Sequence, residues 1–193
     1  MDVRSVAVVG AGTMGAGIAQ VCAQTGWKTC LYDAFPESLT KGMDAIEAFW
    51  DKGIERGKTT TDQKAEWSGN LRVINDLPEA VEGVDLIIEA VPENMQLKQE
   101  IFAELERLAP SHAMLATNTS GLPISEIAQS TGCPDRVIGM HFFNPVPLMS
   151  LLELVRHDAV SEETIAAAKS IGSAMGKTTI VVRDVPGFAT SRL

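Results

Sequence analysis

Three polar residues stand at the ends of apolar runs or inside one, and together they carry the groups needed to move a proton. Ser120 follows Asn118 and Thr119 after the run that ends at Thr117, His141 follows Val137 to Met140, and Glu153 lies within Leu151-Leu152-Glu153-Leu154-Val155. A carboxylate inside such a run is costly to bury unless a partner compensates it. Histidine is a fitting partner, because its ordinary pKa suits a base that accepts a hydroxyl proton, and a carboxylate on its other ring nitrogen fixes the tautomer. Oxidation of a secondary alcohol needs such a base. Taken singly, each residue has another use: Ser120 as a helix cap, His141 as a satisfied core histidine, Glu153 as a solvent-facing residue of an edge strand.

A second constellation lies near the start of the chain. Gly10-Ala11-Gly12-Thr13-Met14-Gly15 gives GxGxxG between a strand pattern and a helix pattern. In that context Gly10 permits the tight turn, Gly12 lets the backbone approach a pyrophosphate, and Gly15 lets helix and strand pack closely. Thr13 and Met14 fall in the first helical turn, where N–H groups and the helix dipole favour anions. Asp33 follows about 20 residues later at the end of the second strand pattern, where a carboxylate accepts hydrogen bonds from ribose hydroxyls. A strand-end cap is the alternative. The carboxylate would repel a 2′-phosphate, and Ala34, Phe35 and Pro36 bring no basic side chain to receive one, so NAD is expected rather than NADP.

The elements that must position these residues read as an α/β fold with a parallel sheet, since short β-branched runs alternate with helical spacing. Predicted strands are Val6 to Val9, Thr29 to Tyr32, Val84 to Glu89, Met114 to Thr117, Val137 to Met140, Leu151 to Val155 and Thr178 to Val182. Predicted helices run from Met14 to Gln24, Pro36 to Arg56, Met95 to Leu108 and Glu162 to Met175, and the polar segment Lys58 to Asp62 can cap a further short one. The loop Asn144-Pro145-Val146-Pro147 could open a separate antiparallel section.

His141-Phe142-Phe143-Asn144-Pro145-Val146-Pro147, followed by Leu151-Leu152-Glu153-Leu154-Val155, resembles the signature of the 3-hydroxyacyl-CoA dehydrogenases. Val9 to Ala19, Glu89-Ala90-Val91-Pro92-Glu93-Asn94, Asn118-Thr119-Ser120 and Asp184-Val185-Pro186-Gly187-Phe188 agree in order and spacing. The resemblance implies a Rossmann-type doubly wound, mainly parallel sheet with a few additional C-terminal strands. It implies hydride transfer between C3 of an L-3-hydroxyacyl-CoA and NAD, in fatty acid or related acyl-CoA metabolism. His141 would be the general base, and the acid in reverse, with Glu153 orienting it. Ser120 would bind the reacting oxygen near the nicotinamide. Glu93, Lys98 and Asn144 match positions that contact NAD, with Asn118 a further candidate nearby; Lys98 also reads as a solvated helix lysine. Arg56 or Lys58, near the end of the long second helix, would meet CoA phosphates. Ser191 stands where many members have an asparagine.

By the same resemblance residues 1–185 form the NAD-binding domain, and 186–193 begin a helical domain that closes the acyl-CoA cleft and carries the contacts of a homodimer. The isolated chain is then expected to bind NAD and to turn over weakly or not at all. Two other functions stay open: a dehydrogenase of a free β-hydroxy acid, against which Phe142-Phe143 argues, and an NAD-binding module without turnover.

Composition sets the outer bounds. The 193 residues, 45% hydrophobic, suffice for one sizeable core;. A net charge of −9, spread along the chain, argues against a nucleic-acid face;. No apolar run reaches membrane-spanning length, and the strand pattern near Met1 leaves no room for a signal peptide. Cys22, Cys30 and Cys133 lack CxxC spacing, so no metal site or disulfide framework is expected, and a reducing cytoplasm fits;.

Overall fold

The computed structural model describes residues 2–189. In chain order the elements are β1 (Ser5–Val9), α1 (Thr13–Gln24), β2 (Lys28–Tyr32), α2 (Pro36–Glu55), α3 (Thr61–Gly69), β3 (Leu71–Ile74), α4 (Leu77–Val81) and β4 (Leu86–Glu89). There follow α5 (Met95–Leu108), β5 (Met114–Thr117), α6 (Ile124–Ala128), β6 (Val137–Phe142), β7 (Leu151–Arg156), α7 (Glu162–Ala174) and β8 (Thr178–Arg183). The strands form one sheet in the order β3-β2-β1-β4-β5-β6-β7-β8. Pairing is parallel from β3 through β6; β7 runs antiparallel to β6, and β8 parallel to β7. The Pro-containing loop therefore reverses the chain within the same sheet and does not open a separate section.

Both faces of the sheet are covered over its central strands, which is why β1, β4, β5 and β6 read as continuous apolar runs;. Successive side chains alternate sides. Val6 and Val8 enter a cluster with Ile18, Cys22, Ile46 and Ile171, while Ala7 and Val9 enter one with Phe102, Leu105 and Ile127. Helix α2 buries Leu39, Gly42, Ile46 and Trp50 at helical spacing;. Gly42 allows a close approach there, since an added Cβ would lie 2.9 Å from the Ala11 carbonyl oxygen of the glycine turn. Thr60 and Gln63 form a reciprocal cap on α3, as the polar segment indicated;.

Besides a 3-10 turn at Pro134–Arg136, three short elements were not predicted from sequence. β3 is an edge strand of Leu71-Arg72-Val73-Ile74 whose middle residues are exposed, so no apolar run announces it. α4 and α6 have five residues each, too few to show a helical period;. β6 extends through Phe142, which puts His141 inside the strand and not after it.

Candidate active site

β2 lies on one side of β1 and β4 on the other, so a crevice opens beyond the C-terminal ends of β1 and β4, the usual ligand position in open parallel sheets;. Gly10 turns the chain out of β1 with φ +107°, and an added Cβ would lie 2.7 Å from the Ala90 carbonyl oxygen after β4. Any side chain there is excluded by conformation and by space. At Gly15 an added Cβ would collide with the Gly10 carbonyl. Gly12 differs: it caps α1 without a side-chain hydrogen bond, and an added Cβ would meet nothing within 4 Å. Open space at an uncapped helix N-terminus fits a pyrophosphate, with Thr13 and Met14 in the first turn beside it.

Asp33 accepts the Ala11 N–H at 2.8 Å and, through its other oxygen, the Phe35 N–H at 2.9 Å. It fastens the glycine turn and caps the strand end, and it lines a cavity of about 620 Å³ with Gly10, Gly12, Thr13 and Met14. The strand-end cap and the ribose acceptor are thus compatible roles, because each carboxylate oxygen has a second lone pair.

A second cavity of about 380 Å³ shares Met14, Ala90 and Val91 with the first. Its lining includes Glu93, Lys98, Asn118, Ser120, His141 and Asn144. The β6–β7 register sets His141 directly opposite Glu153, so their side chains emerge on the same face;. His141 Nδ1 lies 2.7 Å from Glu153 Oε2, with the histidine 7% and the glutamate 0% exposed. Glu153 Oε1 accepts the Ala189 N–H at 3.1 Å. The imidazole packs against Phe143 and Phe188, at centroid distances of 4.5 and 5.7 Å. Assigning the Nδ1 proton to this hydrogen bond leaves Nε2 as the proton acceptor. Burial of Glu153 excludes the solvent-facing alternative.

Below the cavity a second charged group is buried. Lys98 is 1% exposed; its ammonium donates to Glu89 Oε1 at 2.6 Å and to the Val91 carbonyl at 3.1 Å, and lies 3.5 Å from Glu93 Oε2. Glu89, fully buried, also accepts the Val91 N–H and the Thr117 hydroxyl, both at 2.7 Å. Lys98 is therefore not a solvated helix lysine. Glu93 accepts from the Thr119 hydroxyl and from the Ser120 N–H at 3.0 Å. Burial raises the Glu93 carboxyl, but Thr119, Lys98 and the Ser120 N–H outweigh it and hold it below its ordinary value. Asn118 Oδ1 accepts the Phe142 N–H at 3.0 Å, tying β5 to β6 beside the cavity.

Residues 5–185 match the family model described as 3-hydroxyacyl-CoA dehydrogenase, NAD binding domain. The chain belongs to this family. A probable 3-hydroxybutyryl-CoA dehydrogenase of Bacillus subtilis is 43% identical over the whole chain, which covers 67% of that protein. The human mitochondrial hydroxyacyl-coenzyme A dehydrogenase is 37% identical over 99% of the chain and 62% of its own length. Among solved structures, (S)-3-hydroxybutyryl-CoA dehydrogenase PaaH1 from Ralstonia eutropha superposes with a TM-score of 0.96 at 36% identity, covering all of this chain and 68% of that one. The chain thus spans about two thirds of the length of these relatives. The fold is the family's Rossmann-type domain and its cofactor is NAD.

The structure brings the glycine turn and Asp33 to one cavity of this dehydrogenase domain, and His141, Ser120, Glu93, Lys98 and Asn144 to the adjoining one. Arg56 and Lys58 lie exposed beyond the end of α2, outside both linings. Ser191 lies outside the described residues. Glu89 and Thr117 were missed as parts of the site, and Thr119 was read only within Asn118-Thr119-Ser120, without a role of its own. A signal for Glu89 existed: like Glu153, it is a carboxylate in an apolar run, Leu86-Ile87-Ile88-Glu89.

Proposed function

We propose that the protein transfers a hydride between C3 of an L-3-hydroxyacyl-CoA and NAD, giving the 3-ketoacyl-CoA. The contact that carries this reading is the 2.7 Å hydrogen bond between buried Glu153 and a histidine that lines the cavity beside the glycine turn. Gly10, Gly12, Thr13, Met14, Gly15 and Asp33 would hold the adenosine and pyrophosphate half of NAD, and Glu93, Lys98 and Asn144 the nicotinamide half. Bound there, NAD supplies the acceptor for the hydride that leaves C3. His141 Nε2 takes the hydroxyl proton as the C3–O bond becomes a carbonyl, and returns it in reverse. Glu153 holds the imidazole and offsets the charge it gains. Ser120 donates to the reacting oxygen. Phe143 and Phe188, packed on the ring, limit the access of water to the imidazole.

Within this reading residues 1–185 are the cofactor-binding unit, and the complete protein acts as a homodimer. No helix among the described residues is long and apolar enough to cross a membrane. Burial pushes the Cys22 thiol up to about 12 and Cys30 to about 11, so neither serves as a thiolate;. All three cysteines are buried and free, which supports a reducing compartment, the cytoplasm in our proposal;.

The test is NADH oxidation by the full-length protein with acetoacetyl-CoA, set against free acetoacetate at equal concentration. A clear preference for the thioester is expected. Equal rates would shift the assignment to a free β-hydroxy acid dehydrogenase, and NADH binding without turnover of either would leave a binding module.

A further inference from the structure

Pro123, the residue before α6, has no side-chain acceptor for the first N–H groups of that helix, which must find one elsewhere;. Asp184 supplies it from the far end of the chain: its two carboxylate oxygens accept the Ile124 N–H at 2.9 Å and the Ser125 N–H at 2.8 Å. The loop from Ser120 to Pro123 leads directly into this pair, and at its other end Glu93 holds the Ser120 N–H. Ser120 is thus carried on a segment pinned at both ends.

Asp184 is itself anchored, donating its N–H to the Arg156 carbonyl at the end of β7 at 2.9 Å. The chain then makes a turn closed by the Phe188 N–H on the Val185 carbonyl at 2.9 Å, with Gly187 at φ +77° and Phe188 at φ +46°. A phenylalanine in the left-handed region is strained and persists only where its surroundings over-determine it. Here they do: the Phe188 ring is 2% exposed and packs on His141, and the next N–H, of Ala189, reaches Glu153. One end of this turn grips the start of α6, where the Ser120 loop ends, and the other contacts both His141 and Glu153.

We propose that Asp184 is a positioning residue, and that the turn from Asp184 to Ala189 sets Ser120 and the His141–Glu153 pair relative to each other as one unit. The proposal rests on the proton-transfer role assigned to those three residues. Geometry of this kind acts on rate, since a misplacement of about 1 Å can cost on the order of 10²-fold.

Two measurements on the full-length protein test it. In NADH-dependent reduction of acetoacetyl-CoA, Asp184→Ala should lower kcat on the order of tenfold with NADH affinity unchanged, and the loss should shrink in a Ser120→Ala background, as expected of coupled sites. Asp184→Asn, which keeps one acceptor oxygen, should recover part of the rate. An equal loss in both backgrounds, or no loss, overturns the proposal. Amide hydrogen exchange needs no turnover: in Asp184→Ala the Ile124, Ser125 and Ala189 amides should lose protection together, while those of β1 and β4 keep it. Unchanged protection at Ala189 would show that the turn does not act as a unit. Should His141→Ala keep its rate, the proton-transfer reading fails, and the exchange result still decides the coupling through the turn.

Discussion

Replacing Lys98 by methionine removes one member of a buried ion pair and leaves the other. The ammonium lies 2.6 Å from Glu89 Oε1, and both side chains are within 1% of full burial. At that distance and an effective dielectric constant of about 20, the Coulomb attraction is about 6 kcal/mol, against a desolvation cost of several kcal/mol per ion. The intact pair therefore contributes little net stability, whereas Lys98→Met strands a carboxylate that the Val91 N–H and Thr117 hydroxyl only partly satisfy. Breaking a buried pair in this way costs about 3–5 kcal/mol. For a domain of this size that lowers Tm by about 6–20 °C. Lys98→Met/Glu89→Gln, which removes both charges, should regain most of the loss. Urea unfolding of the parent, both single variants and the double variant gives the cycle, with m-values checking that the unfolded reference is unchanged. Additive losses in the double variant, or a Lys98→Met penalty below about 1 kcal/mol, would refute the pairing and return Lys98 to a solvated surface role.

Loss of the base should separate chemistry from binding: His141→Ala is expected to lower turnover by about 10²–10⁴-fold and Glu153→Gln to lower it less, both with NADH affinity kept; a His141→Ala variant at parental rate excludes that residue. Titration of both cofactors should show NAD binding more tightly than NADP, with the ratio reduced in Asp33→Asn; equal affinities in the parent would exclude a discriminating role for Asp33. The Glu93 carboxyl is held below its ordinary value of 4.5, so its contribution to stability is complete above that value and is lost as pH falls through the lowered one;. Stability measured across that acid range should fall less steeply in Glu93→Gln than in the parent, and identical slopes would contradict the Thr119 and Ser120 anchoring.

The parts of the site that were legible in the sequence are those whose chemistry is tied to local spacing. The glycine turn and Asp33 sit at fixed offsets from a strand, and Glu153 stands out because a carboxylate interrupts an apolar run. Lys98 was harder because a lysine on a helix is ordinarily solvated. Its position nevertheless carried information: Met95, Lys98, Phe102 and Leu105 follow the spacing of one helix face, and the last three are buried;. A lysine in the apolar stripe of α5 and a glutamate ending the apolar strand β4 are two halves of one signal, readable only once α5 is known to pack beside β4. The grip of Asp184 on α6 spans about sixty residues of chain and joins a side chain to backbone N–H groups, which leaves no pattern in residue types at all.

The contact between His141 and Glu153 depends on a register that the sequence specifies only indirectly. Side chains alternate across a strand, so a slip of one residue between β6 and β7 would send Glu153 to the opposite face and set a leucine beside His141;. The reversing loop from Phe143 to Ser150 must therefore hold its length and shape. Lys177, just before β8, does this by donating to the Val146 carbonyl at 2.5 Å and the Met149 carbonyl at 2.7 Å, its own pKa lowered by burial. Val146 is buried against the main core, where it closes on Gly17 of α1: an added Cβ at Gly17 would lie 3.0 Å from Val146 Cβ. The loop that fixes this register thus packs on the helix that follows the glycine turn. On the proposed function, hydride transfer needs the cofactor and the base in one frame, and α1 would join them, with Gly12 at its cap and Gly17 about a turn and a half further on;.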